Sequence, residues 1–186
     1  GDNGEVLRTL NGGDGYGQLI SGTAAQLNGL SFSNAANGIV VGNGGVIRRI
    51  TNGDNPNSAT VVFTPQNSGT AVNLHGVSYY ADGLFAAVVG DGGTVLTTGN
   101  GGITWTPRNS GTANALRRVH FSTELSGIAV GDDNTVIQTG DGGITWTPLN
   151  TGLGGATNLA GVFMNPDKSG AVVGVAGTIL RLIPQP

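Results

Sequence analysis

The chain repeats itself, and the repeat limits what it can fold into. Leu27, Leu74, Leu116 and Leu159 follow one another at spacings of 47, 42 and 43 residues. Three positions after each leucine comes an apolar residue (Leu30, Val77, Val119, Val162), and close behind it a large one (Phe32, Tyr79, Phe121, Met164). This predicts a first strand in each unit. A run ending in Val-Gly comes next, at Ile39–Gly42, Ala87–Gly90, Ile128–Gly131 and Ala171–Gly174. Apolar without alternation, it reads as a second strand buried on both faces. A polar or glycine turn (Asn43–Gly45, Asp91–Gly93, Asp132–Asn134, Val175–Gly177) then leads into a third strand at Val46–Ile50, Thr94–Thr98, Thr135–Thr139 and Thr178–Leu182. Turn chemistry of this kind suits a tight hairpin. Phe63-Thr-Pro65, Trp105-Thr-Pro107 and Trp146-Thr-Pro148 mark a fourth strand, and proline fits an outermost strand because one side of it needs no ladder donor.

Such a unit cannot bury its apolar faces alone, and stacking copies of it supplies the core. The predicted fold is all-β: a β-propeller of four-stranded antiparallel blades. The 35 glycines would permit disorder, but 38% of the chain is hydrophobic and arranged in short β-branched runs, which argues for a folded domain.

Between the third and fourth strands lie Thr98-Gly-Asn-Gly-Gly-Ile-Thr-Trp105 and Thr139-Gly-Asp-Gly-Gly-Ile-Thr-Trp146. These match the Asp-box, S/T-x-D-x-G-x-T-W, a turn in which a short Asp or Asn side chain accepts backbone N–H bonds while glycines take positive φ. Thr98, Asn100, Gly102 and Trp105, with Thr139, Asp141, Gly143 and Trp146, are therefore expected to build the blade rather than bind or catalyse. Asn100 in place of the acid supports this. Weaker copies run from Thr9 to Tyr16 and from Thr51 to Phe63, the second lengthened by Asn52–Asn57.

Gly1–Thr9 aligns with Gly90–Thr98, so the chain opens on a third strand and closes on another at Ile183. The expected count is 17 strands in one propeller domain, 1–186, divided as 1–23 (partial blade), 24–70, 71–112, 113–155 and 156–186 (partial blade). Four closed blades need one strand fewer. The arrangements are a four-bladed disc with a spare end, part of a larger ring, or open blades completed between copies; an incomplete ring is the favoured reading.

The stretch Val89–Trp105, followed by Ser110-Gly-Thr112 and Leu116-Arg-Arg-Val-His-Phe121, resembles the photosystem II assembly and stability factor family and, more broadly, the bacterial-neuraminidase-repeat propellers. The resemblance covers nearly the whole chain. It implies a propeller, typically seven-bladed in that family, that binds other proteins through a face of the disc. The family's basic binding residues have no position-by-position counterpart here, so no site is carried over.

The residues themselves argue against several functions. A net charge of −3 with no basic run offers nothing to neutralise phosphates or anionic lipid headgroups, so neither nucleic acid nor a membrane surface is an expected partner. No apolar stretch approaches the roughly 20 residues of a membrane span. A sialidase needs an arginine cluster, a tyrosine nucleophile and a glutamate; the only glutamates are Glu5 and Glu124, and Tyr16, Tyr79 and Tyr80 fall at or beside packing positions. Two histidines, no cysteine and no calcium loop argue against a metal site, and no nucleophile elbow is present. The expectation is no enzyme, no metal and no cofactor.

Two columns of repeat-equivalent residues remain. On the innermost strand the residue after each leucine is Asn28, His75, Arg117 or Ala160, with Arg118 beside Arg117; on the third strand one position reads Arg8, Arg49, Thr97, Gln138 and Arg181, with Arg48 beside it. The plain alternatives are side chains meeting channel water and arginine stems covering a solvated strand face. Taken as sites, they point to a structural or protein-interaction propeller, self-associating through open blade ends. The alternative is a lectin-like carbohydrate-binding module, which variation between blades disfavours. Richness in Gly, Asn and Thr with low charge fits a secreted, periplasmic or cell-surface protein.

Overall fold

A computed structural model describes residues 1–183 as seventeen strands in five sheets, with no α-helix among them. The first sheet pairs β1 (Glu5–Arg8) with β2 (Gly17–Ile20). Three four-stranded meanders follow: β3 (Leu27–Phe32) to β6 (Val62–Gln66), β7 (Leu74–Tyr79) to β10 (Thr106–Arg108), and β11 (Leu116–Phe121) to β14 (Thr147–Pro148). The last sheet holds β15 (Leu159–Met164), β16 (Gly170–Gly174) and β17 (Ile179–Leu182). All pairing is antiparallel, and among the described residues no sheet closes on itself. The described residues form an open propeller.

The second strands show why the sheets stack. In β4 (Gly38–Gly42), β8 (Ala86–Gly90) and β12 (Gly127–Gly131) all five residues are buried, because alternate side chains face the sheet before and the sheet after. Ala87, Val89 and Val95 pack on Leu116, Phe121, Ile137 and Trp146 of the next sheet, and Ile39, Val41 and Ile47 pack on Leu74, Tyr79 and Val88. Each such aliphatic side chain is worth about 1.5–3 kcal/mol of burial. β16 lacks a following sheet among the described residues, and its burial alternates instead.

The inner strands lie so close that a Cβ on Gly76 would come within 3.0 Å of Arg117 O in the next sheet. The turn between second and third strands is a 3-10 turn at Asn43–Gly45, Asp91–Gly93 and Val175–Gly177, and an ordinary polar turn after β12. In the first of these turns the last glycine cannot be replaced: Gly45 has φ 74, and a Cβ there would sit 2.0 Å from Thr70 O.

Candidate interaction site at the inner-strand bulges

Every inner strand breaks register just after its leucine, between Leu27 and Gly29, Leu74 and Gly76, Leu116 and Arg118, and Leu159 and Gly161. Asn28, His75, Arg117 and Ala160 are thus bulge residues. A bulged residue has no partner across the ladder, so its side chain can be re-aimed.

Each polar one meets the first residue of its own sheet's 3-10 or polar turn. Asn28 Nδ2 donates to Asn43 Oδ1 at 2.8 Å, and His75 Nε2 lies 2.5 Å from Asp91 Oδ1. Arg117 donates through Nε to Asp132 Oδ1 at 2.9 Å and through Nη2 to Oδ2 at 2.5 Å, a bidentate pair. The fourth pair, Ala160 and Val175, is apolar at both positions. The chemistry is matched blade by blade: amide with amide, imidazole with carboxylate, guanidinium with carboxylate, alkyl with alkyl. In the sequence, Asn43, Asp91 and Asp132 read as turn residues alone. Their shared place after the Val-Gly run, varying in step with the bulge column, was the signal available.

The pairs also join neighbouring sheets. Asn28 Nδ2 donates to Leu74 O at 2.9 Å, and Arg117 Nη1 lies 3.0 Å from His75 Nε2 and 3.9 Å from Asp91 Oδ1. Asn73 Nδ2 donates to Asp91 Oδ2 at 3.0 Å, while its Oδ1 accepts from Gly44 N at 3.2 Å. His75 cannot satisfy both neighbours with one ring nitrogen: a proton on Nε2 serves Asp91 and confronts Arg117, and the other tautomer does the reverse. The hydrogen bond with His75 chiefly holds the Asp91 carboxyl below the ordinary carboxylate range, and that with Asp132 raises the Arg117 guanidinium. Arg118 is exposed and donates through Nη1 only to carbonyls, His75 O at 3.2 Å and Arg117 O at 2.7 Å. Its charge faces solvent with no carboxylate paired to it among the described residues.

The strand-three arginines are placed differently. Arg8 Nη1 donates to Gly53 O at 3.0 Å and Asn55 O at 2.6 Å, clamping the inserted loop of the next sheet. Arg48 Nη2 donates to Gly22 O at 2.6 Å. Arg49 is half-buried, its Nε without a hydrogen-bond partner among the described residues, and Arg181 is exposed on β17. These arginines spread over three sheets and do not converge. Of its other members, Thr97 is buried and accepts from Arg108 Nε at 2.9 Å, while Gln138 is exposed.

The Asp-box residues form closed local networks. Asp141 Oδ1 accepts from Thr139 Oγ1 at 2.8 Å and from the amides of Ile144 and Thr145 at 3.0 Å, and Oδ2 accepts from Thr145 Oγ1 at 2.6 Å. Those bonds, Thr145 foremost, pull its pKa down to about 2. Thr139 Oγ1 receives Gly143 N at 3.0 Å, and Trp146 Nε1 donates to Gly143 O at 3.1 Å. Asn100 reproduces the pattern, accepting from Thr98 Oγ1 and Thr104 N and donating to Thr104 Oγ1; Thr98 Oγ1 accepts from Gly102 N at 3.1 Å. Trp105 packs against the cluster of Ile39 and Leu96, but its Nε1 finds no partner among the described residues. The second histidine, His120, lies against Phe163, and burial holds its imidazole below the usual range despite a hydrogen bond with Met164 O.

Among the described residues, no three His, Cys, Asp or Glu side chains gather as a metal site, and no helix is long and apolar enough to cross a membrane.

No family model matches the chain, and no curated protein matches it. Solved structures do. YCF48 from Cyanidioschyzon merolae matches at a TM-score of 0.75 and 17% identity, covering 98% of this chain and 64% of that one. A structure of YCF48 bound to D1 peptide matches at a TM-score of 0.56 and 16% identity, covering 86% of this chain and 65% of its own. The chain has the fold of these propellers. It spans just under two thirds of the length of each, and YCF48 is a photosystem II assembly factor, which agrees with the resemblance found in the sequence.

Proposed function

We propose that this protein is a non-catalytic interaction propeller that binds a polypeptide partner across the face formed by the inner-strand bulges. One observation carries the reading: the bulge column projects Asn28, His75 and Arg117 at repeat-equivalent places, and each is braced by its own turn residue. Side chains held this way lose little rotamer freedom on binding. Arg118 supplies an uncompensated positive charge beside them. The YCF48 structure with its D1 peptide supports a propeller of this fold serving as a peptide-binding platform. Catalysis has no support in the geometry, since Glu5 and Glu124 lie in different parts of the chain and Tyr79 is buried, donating its hydroxyl to Gly83 O. A site outside the cytoplasm, secreted, periplasmic or cell-surface, remains our reading of the composition.

The test is a chemical-shift titration of the labelled protein with extended acidic, neutral and basic peptides. The expected result is that the acidic peptide perturbs the amides of residues 28, 75, 117 and 118. Perturbations that avoid all four would contradict the proposal.

A second reading rests on the end sheets, where Ile20 is 90% and Ile179 74% exposed on uncovered sheet faces. Such faces can be satisfied by another copy stacking head to tail. Light scattering across a concentration range decides: a mass that grows with concentration supports it, and a constant monomer removes it.

A further inference from the structure

The two ends of the strands differ in charge. The loops at the Asp-box end hold Asp14, Asp54, Asp82, Glu124, Asp141 and Asp167, six of the eleven acidic residues, and of the eight basic ones only Lys168. Arg8 reaches toward these loops but is committed to the carbonyls of Gly53 and Asn55.

At the same end, the β7–β10 and β11–β14 sheets carry four aliphatic side chains that no core cluster uses. Leu84 and Leu125 sit in the loops joining first and second strands, and Ile103 and Ile144 in the Asp-box turns; all four are between 56 and 59% exposed. Gly101 N donates to Leu84 O at 2.8 Å and Gly142 N to Leu125 O at 3.0 Å, which sets each loop beside its Asp-box turn. A Cβ on Gly142 would lie 3.9 Å from Leu125 Cδ2 and 3.3 Å from the main-chain oxygen of Glu124, so the loop that carries this exposed acid and this exposed aliphatic lies against the Asp-box turn.

The blade does not require these side chains. The position of Leu84 and Leu125 is Ala36 in the preceding sheet and Lys168 in the last, and the position of Ile103 and Ile144 is Asp14 in the first turn. Single exposed aliphatics are ordinary, but a pair repeated in two adjacent sheets on one face is a patch of the kind that marks interaction sites. Its rim of Asp82, Glu124 and Asp141 has no basic residue interspersed, and Asp141 stays ionised far into acid.

We propose that the Asp-box face of the β7–β10 and β11–β14 sheets docks a cationic, amphipathic polypeptide segment. Its apolar side chains would cover Leu84, Ile103, Leu125 and Ile144, and its lysines or arginines would meet the acidic rim. This surface lies at the opposite strand ends from the bulge column, so the proposal stands or falls independently of the function proposed above.

The experiment titrates the labelled full chain with a Leu/Lys amphipathic peptide of roughly four helical turns, and in parallel with the same peptide carrying Glu for Lys. The Lys peptide is expected to shift the amides of residues 82–85, 101–104, 123–126 and 141–145, and the Glu peptide to leave them in place. Leu125→Ser with Ile144→Ser should weaken binding about 10-fold, and Glu124→Gln about 3-fold with a shallower salt dependence. Both variants alter exposed side chains, and their unchanged amide spectra elsewhere verify the fold. Equal binding of the Glu peptide, shifts confined to the Arg117 face, no shifts at all, or wild-type affinity in the double variant would each overturn the proposal. Shifts at these residues on diluting the protein alone would assign the surface to a second copy, and would overturn it too.

Discussion

The turns at Thr9–Tyr16 and Thr139–Trp146 are built alike and packed unlike. In both, a threonine Oγ1 accepts the amide four residues on, at 2.9 Å from Gly13 and 3.0 Å from Gly143, and donates to the side chain two residues on, Asn11 or Asp141. Yet Trp146 is 7% exposed, edge-on to Phe121, whereas Tyr16 is 66% exposed. The turn is a local object that its own eight residues close. The aromatic that ends it is stabilised only where a preceding sheet offers a surface, as β7–β10 does for Trp146 through Ala87, Val89 and Val95.

The largest expected effect separates those aromatics. Trp146→Ala should cost about 3–5 kcal/mol in urea unfolding, and Tyr16→Ala within about 0.5 kcal/mol. Equal losses would mean that Tyr16 is covered in solution, which would also argue for stacking between copies. Next come the threonines: Thr139→Val leaves the buried Gly143 amide without its acceptor and should cost about 1–3 kcal/mol, whereas Thr9→Val, where water can replace the hydroxyl, should cost about 0.5 kcal/mol. A smaller contrast lies between the tryptophans. Trp146→Phe removes a hydrogen bond with Gly143 O and should cost about 1 kcal/mol more than Trp105→Phe, whose indole N–H has no partner among the described residues.

The smallest effect is in acid. Asp141 has a folded pKa of about 2, below the ordinary 3.8, so its contribution is complete above that ordinary value and disappears as pH falls from there through about 2. Asp141→Asn should flatten the stability profile across that window. Asn11 and Asn100 fill the same role without a titrating group, so changing them should not alter its shape.

Much of the fold was legible because it follows from residue type and spacing. Three of the four Val-Gly runs became strands buried on both faces, the exception being β16, which has no following sheet among the described residues, and the Asp-boxes became turns with the bonds that Thr139 and Asp141 make. The bulges were not legible: Asn28, His75 and Arg117 lie within an otherwise regular strand, and only the register opposite β4, β8 and β12 reveals the extra residue. The polar pairs were hidden for the same reason, since Arg117 and Asp132 are fifteen positions apart in sequence and meet only when the turn folds back. The arginine column on the third strands was visible as a pattern, but Arg8 and Arg48 are engaged with main-chain carbonyls, a destination that no spacing announces.

The proposed function places recognition on the bulge face and not on the strand-three column. Its most direct test compares the affinity of one acidic peptide for the wild type, Arg118→Glu and Arg181→Glu, both at exposed positions. The account predicts that Arg118→Glu weakens binding about 10-fold or more while Arg181→Glu stays within about 2-fold. The opposite order, or equal loss in both, would contradict it.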